Sequence, residues 1–155
     1  MKIASCALAG RTGHAAGLAL LASLYRQETG AELPPIARKE RGKPFFPDSP
    51  WHFSISHTHR RVFCALSRRE IGIDAEELDR DVPLALARKV LSPGEMAQFD
   101  AAPDKRRALL TFWVLKEAQA KYTGEGLRGF PNQTDFSLDD PRVTEMDGCL
   151  VAVME

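Results

Sequence analysis

An α+β architecture, an antiparallel sheet packed against one long helix, is what this sequence predicts. Three observations lead there. Residues 51–76 read as three successive strands with short joins. Residues 103–122 read as one long helix with an apolar stripe. Beyond Gly129 the chain turns β-rich again. This order, with strands that run antiparallel, fits α+β and not an alternating parallel sheet.

The elements follow in chain order. Lys2 to Ala9 is a first strand. Gly13 to Thr29 is a helix ended by Gly30, with Leu18, Leu21, Ala22 and Tyr25 at helical spacing. Leu33 to Ala37, with Pro34-Pro35, is an extended connector, and Arg41-Gly42-Lys43-Pro44 is a turn. In Trp51 to Thr58, Trp51, Phe53 and Ile55 point one way and Ser54, Ser56 and Thr58 the other; His57 falls on the apolar side. Val62 to Ser67 is apolar on both faces, as in a central strand, and Arg60-Arg61 marks a hairpin before it. Glu70 to Glu76 is the third strand of that run.

Val82 to Leu91 reads as a short helix. Ser92-Pro93-Gly94-Glu95 is a capping box with proline at the first helical position, opening a helix through about Phe99. Pro103-Asp104 opens the long helix, which carries Leu109, Phe112, Trp113 and Lys116 along one stripe and ends near Tyr122. Phe136 to Leu138, Arg142 to Met146 and Leu150 to Met154 are candidate strands, the last two joined by an Asp147-Gly148 turn.

Composition narrows the class. The 155 residues suit one domain, and 21 basic residues balance 21 acidic ones. Bulk charge therefore points to neither nucleic acid nor an anionic membrane as partner. Cys6, Cys64 and Cys149 form no Cys-x-x-Cys, so they read as reduced thiols of a cytoplasmic protein. The longest apolar stretch, near Ala15 to Leu24, is too short for a span, and a signal peptide is disfavoured.

Two stretches carry chemistry. In Ile-Gly-Ile-Asp-Ala-Glu, residues 71–76, period-two alternation puts Asp74 and Glu76 on one strand face and Ile71, Ile73 and Ala75 on the other. In Trp113 to Leu127, Trp113, Glu117 and Lys121 stack on one helix face, and Gly124 and Gly126 end the helix. Two carboxylates from a strand and one from a helix suit a hard cation beside a phosphate. Plainer readings stand beside this one. Asp-x-Glu on a strand is often solvent-facing charge, and Glu117 with Lys121 is an ordinary i, i+4 pair. Trp113 reads first as core, and His57 as a satisfied core histidine. His57-x-His59 lacks a third ligand at zinc spacing.

Taken together, Gly42-Lys43-Pro44, Phe53-Ser54-Ile55-Ser56-His57-Thr58, Gly72-Ile73-Asp74-Ala75-Glu76 and Trp113 to Leu127 resemble the 4′-phosphopantetheinyl transferase superfamily in its Sfp-type branch. Val90 to Glu95 matches the stretch that this family places before its long helix, and the resemblance covers roughly residues 41–130. It implies a 4′-phosphopantetheinyl transferase-like fold over residues 1–155, with 41–130 the motif-bearing core and 1–40 a reduced first half. It implies transfer of phosphopantetheine from coenzyme A to a serine of an acyl or peptidyl carrier protein, as in holo-acyl-carrier-protein synthases. Asp74, Glu76 and Glu117 would hold Mg²⁺; Glu117, Lys121 and His57 would be catalytic; Arg41, Lys43, Ser56, His57 and Lys121 would contact coenzyme A. Arg60, Arg61, Arg68 or Arg69 would steer an acidic carrier. Ser54 and Thr58 stand where the family often has Asn and Ser, and Ala75 replaces a larger apolar residue. The shortened first half leaves two further readings, a non-catalytic coenzyme A-binding protein and an interaction domain. A monomer is favoured over a homodimer or homotrimer.

Overall fold

The computed structural model describes residues 1–126 and 134–155. Its elements are β1 (Lys2–Ala7), α1 (Gly13–Thr29), β2 (Ala37–Arg38), β3 (Pro44–Phe45), β4 (His52–His57), β5 (Arg61–Ser67) and β6 (Gly72–Glu77). A 3₁₀ turn (Leu84–Leu86) leads into α2 (Ala87–Val90), α3 (Pro93–Ala101) and α4 (Lys105–Thr123), and β7 (Val143–Met146) and β8 (Cys149–Met154) follow.

The expected single sheet is two. β1-β5-β4 form one and β6-β8-β7 the other, all antiparallel, while β2 and β3 make a small separate hairpin. Alternation along the strands explains the layering. On β5, Cys64 and Leu66 face α1 with Leu21, Leu24 and Tyr25, while Phe63 and Ala65 face the second sheet. On β8, Leu150, Ala152 and Met154 face α4, while Cys149 and Val151 meet Ile73 and Ala75 of β6 and the first sheet. The order is helix, sheet, sheet, helix, with an apolar core between each pair of layers.

β6 is therefore not the third strand of the β4-β5 run, since its ladder is with β8. Side chains make the seam instead. Ser54 Oγ accepts from the Ile73 N–H at 3.1 Å and Ser56 Oγ from the Ala75 N–H at 3.3 Å. That is why β4 is covered on both faces although its serine side reads as polar.

The helix ends agree with their sequence signals. Gly30 and Gly124 are left-handed caps, and Ser92 with Glu95 closes a full capping box. Glu95 does more than cap. Its carboxylate accepts from the Ser92 and Phe136 amides at 2.9 and 3.0 Å and pairs with Lys116 at 2.7 Å, both side chains being buried. Lys116 also donates to the Thr134 carbonyl at 3.0 Å. This network holds the residues from 134 onward beside α3 and α4.

The other differences are local. β1 ends at Ala7, the 82–91 stretch splits into the 3₁₀ turn and α2, and Phe136 to Leu138 is not a strand. The stripe of α1 is rotated, burying Ala16, Gly17, Leu21, Leu24 and Tyr25. Gly17 explains the rotation: a Cβ there would lie 2.8 Å from Ile55 Cγ2, so helix and strand meet closely at a glycine. Asp147 and Gly148 both have positive φ, as a two-residue hairpin turn requires. Cys64 and Cys149 are buried, Cys6 is partly so, and all three thiols are free. Among the described residues, no helix is long and apolar enough to cross a membrane.

Candidate active site between strand 6 and helix 4

Gly72 sets the distance between β6 and α4. A Cβ at this position would lie 2.2 Å from the Ala118 carbonyl oxygen and 2.4 Å from the Tyr122 amide nitrogen. Only glycine permits that approach. It lays the Glu117–Lys121 face of α4 over the Asp74–Glu76 face of β6.

The side chains meet there. Lys121 Nζ lies 2.7 Å from Asp74 Oδ1 and donates more weakly to the Ile55 carbonyl at 3.5 Å. Ser56 Oγ donates to the same Asp74 oxygen at 2.8 Å. Glu76 pairs with Arg80, four residues on in the turn that follows β6, and Trp113 beside it draws its carboxyl down. Trp113 is partly buried against the core and sits beside Glu76.

Burial pushes the Glu76 carboxyl up, Arg80 opposes it and Asp74 adds to it. Burial likewise pushes the Glu117 carboxyl up; Asp74 and then Glu76 reinforce it, while Lys121 opposes. Glu76 and Glu117 thus each feel the negative charge of Asp74 beside them. Among the described residues, no three acidic, histidine or cysteine side chains are gathered tightly enough to grip a metal ion as they stand. Asp74 and Glu76 are instead each held by a side-chain cation. The donors are all hard oxygens, and their mutual repulsion is what a hard divalent cation would relieve.

Beside the carboxylates lies a cavity of about 290 Å³, lined by the Arg41–Pro44 turn, Phe53, Ser54, Ile55, Glu117, Ala120, Lys121, Gly124 and Gly126. It joins the first and last motifs, which are far apart in sequence. Leu127, the last residue of the helix motif, lies outside the described residues, as do 128–130 of the motif-bearing core.

The expected coenzyme A contacts divide. Lys121 and Arg41 line this cavity, Arg41 in an exposed 3.5 Å pair with Glu125. Ser56 does not: it is buried, and its hydroxyl is used by Asp74 and the Ala75 amide, so Ser54 is the serine on the wall. Lys43 reaches the cavity with its stem, but its ammonium is turned inward to Glu70 and to the Tyr122 carbonyl.

His57 is not a core histidine. It is exposed at the end of β4, and its ring covers Gly13, where a Cβ would lie 2.6 Å from the imidazole. His57 lines a second cavity of about 240 Å³ with Thr58, His59, Glu76, Glu77 and Arg80. Of the arginines expected to steer a carrier, Arg60 pairs with Glu77 and Asp79, Arg61 with Asp147 and Arg69 with Glu155, while Arg68 lies over Trp51.

Sequence reasoning missed Arg80, Glu70 and the role of Gly72. Glycine inside an apolar strand, as in Ile-Gly-Ile, is the signal that could have found the last. Gly13 and Gly17, one turn apart on α1, are a similar signal for the close approach of α1 to His57 and Ile55 of β4.

Comparison with known proteins bears on this site. The family model described as the 4′-phosphopantetheinyl transferase superfamily matches residues 70–148, which hold both the β6 and the α4 motifs. The 4′-phosphopantetheinyl transferase Sfp of Bacillus subtilis is 39% identical over 96 residues, 59% of this chain and 42% of that protein. The 4′-phosphopantetheinyl transferase HetI of a Nostoc species is 35% identical over 97 residues, covering 57% of this chain and 41% of HetI. A putative 4′-phosphopantetheinyl transferase of Haemophilus influenzae is 31% identical over 120 residues, covering 70% of this chain and 51% of that protein. The matched stretch thus spans between two fifths and half of these relatives.

Proposed function

The chain belongs to the 4′-phosphopantetheinyl transferase superfamily, and on that premise we propose that it moves the phosphopantetheine arm of coenzyme A onto a serine of an acyl or peptidyl carrier protein. The activity is that of a holo-acyl-carrier-protein synthase. The observation that carries this reading is the meeting of Glu117 and Lys121 with Asp74 at the edge of a cavity whose far wall is the Arg41–Pro44 turn.

In this reading the cavity takes the nucleotide end of coenzyme A, with Arg41 at its mouth. Asp74, Glu76 and Glu117 would hold a divalent cation, Mg²⁺ being the one suited to carboxylate oxygens and phosphate. When bound, that cation neutralises charge developing on the pyrophosphate. Lys121 supplies positive charge to the same oxygens. His57, exposed and near Glu76 across the second cavity, donates a hydrogen bond to a phosphate.

Glu117 accepts the proton of the carrier serine as its hydroxyl attacks the phosphorus nearer the pantetheine. Its place on α4 at the wall of the cavity suits it to this role. The new bond is serine oxygen to phosphorus, and the bond broken releases adenosine 3′,5′-bisphosphate. Ser56 and Arg80 act through others, by holding Asp74 and Glu76 in place.

The chain reads as one such domain, because β1 and α1 build the layer that carries β4. The apolar face of α1 is covered within the chain, which supports a monomer. Its setting is read as cytoplasmic.

Incubating the protein with a panel of apo-carrier proteins, coenzyme A and Mg²⁺, followed by intact-mass spectrometry, tests the proposal. A carrier gaining one phosphopantetheine group supports it. Coenzyme A binding without a gain on any carrier would leave a binding protein that keeps the fold.

A further inference from the structure

Glu70 lies outside every motif considered so far, yet it gathers three basic groups. Its carboxylate is 2.5 Å from Lys43 Nζ, 3.3 Å from Lys39 Nζ and 2.9 Å from His52 Nδ1. Burial alone would push its carboxyl up, but Lys43 and Lys39 carry it below the usual carboxylate range.

Lys43 is the inner member of this group. Its side chain is 8% exposed, against 48% for Lys39, so its ammonium is withdrawn from solvent. The ammonium donates to the Tyr122 carbonyl at 2.6 Å and to the Ile71 carbonyl at 3.3 Å. Tyr122 is in the last turn of α4, whose carbonyls lack helical partners. A lysine there also answers the negative end of the helix dipole. The stem of Lys43 lies across Gly124, where a Cβ would come within 3.2 Å of Lys43 Cδ. Gly124 has φ +75° and starts the turn to Gly126, which lines the cavity together with Lys43.

We propose that Glu70 and Lys43 form a strap that sets the width of the coenzyme A cavity, Glu70 being a positioning residue and Lys43 acting through the α4 turn instead of on a phosphate. The strap joins the 41–44 turn, the entry to β6 and the end of α4. Two walls of the cavity, the 41–44 turn and the end of α4, are therefore tied together through one ion pair anchored at the entry to β6. The ammonium already has three acceptors, Glu70, Tyr122 and Ile71, which is the donor capacity of a lysine. The proposal rests on the reading of the cavity as the coenzyme A site.

The sign of one substitution separates the two roles of Lys43. If Glu70 merely competed with a ligand phosphate for the ammonium, Glu70→Gln would release it and tighten coenzyme A binding. A strap predicts the opposite. Glu70→Gln and Lys43→Met are compared with the unaltered chain by calorimetric titration with coenzyme A, and by hydrogen exchange of the Tyr122–Gly126 amides without ligand. Glu70 is near the surface and glutamine has its shape, so that variant keeps the fold.

The expected result is faster exchange at the Gly124 amide in both variants, and coenzyme A bound more weakly in both, on the order of 10-fold. Unchanged exchange, or tighter binding in Glu70→Gln, would overturn the strap. If the unaltered chain takes up no coenzyme A, the proposed function fails, while the exchange data still decide whether the strap exists.

Discussion

Lys121 of α4 and Asp74 of β6 share a 2.7 Å ion pair, and the Asp74 oxygen that receives it also receives the Ser56 hydroxyl. One carboxylate oxygen thus ties together both sheets and the long helix. Its second oxygen takes part in neither bond. The pair fixes the carboxylate on which the proposed chemistry is centred.

Asp74→Ala should abolish phosphopantetheine transfer and leave the fold in place. Removing a preorganised charged group of this kind costs on the order of 10²-fold in rate. Carrier modification and a circular dichroism spectrum on the same sample check it. A folded variant with near-native transfer would remove Asp74 from the site.

Lys121→Ala should harm turnover far more than Glu125→Ala. Lys121 lines the cavity and meets Asp74, whereas Glu125 is exposed and its contact is a screened pair with Arg41. Steady-state kinetics of both variants give the comparison. Equal and small effects would make the Lys121 pair an ordinary surface bridge, worth under about 1 kcal/mol.

Gly72→Ala should destabilise the protein. The added methyl group meets helix backbone and not a movable side chain. Overpacking of this sort costs about 1–3 kcal/mol, and here the helix itself has to move. Denaturant melts measure the loss. Transfer should fall as well in molecules that remain folded, because α4 carries Glu117 and Lys121.

His57→Ala should weaken coenzyme A binding, several-fold at roughly 1 kcal/mol for one hydrogen bond, with little change in melting temperature. The side chain is exposed and rests on Gly13, so its loss opens no core cavity. Calorimetry and thermal melts on one preparation distinguish this from a structural role. A large fall in melting temperature at unchanged affinity would assign His57 to packing.

Glu117→Gln should raise the melting temperature of the metal-free protein at neutral pH while removing transfer. The Glu117 carboxyl is pushed up by burial and by Asp74. A group whose folded pKa exceeds its unfolded one favours folding below the unfolded value, and that contribution is lost as pH rises through the folded value. At neutral pH the ionised group therefore opposes the fold, and glutamine removes the opposition. The gap between variant and parent should close in acid, and Mg²⁺ should narrow it from the other side. Melts across pH, with chelator or with Mg²⁺, read both effects.

Much of this was legible in the chain. Local signals did best: Gly30, Ser92 with Glu95 and Gly124 mark helix ends in the structure as they do in the sequence. Alternation correctly put Ile73 and Ala75 on one face of β6, which is buried, and Asp74 on the other, which meets Lys121 of α4. What failed depends on partners far away in sequence. Period-two reading cannot say which neighbour a strand pairs with, so β6 went to the wrong sheet. Nor can it say that the polar face of β4 is buried, because Ser54 and Ser56 find their partners on β6. The same limit hid the inward turn of Lys43, whose acceptors come from Glu70, Ile71 and Tyr122.

The Glu95–Lys116 pair bears on how this sequence can drift. Both charges lie out of reach of water, and each is the other's counter-ion. Losing either alone strands a buried charge, which is costly, whereas replacing both together by uncharged groups of similar volume is often tolerated. Lineages descended from this chain should therefore change the two positions jointly or not at all. A helix residue and a capping residue that are 21 positions apart are, for evolutionary purposes, a single site.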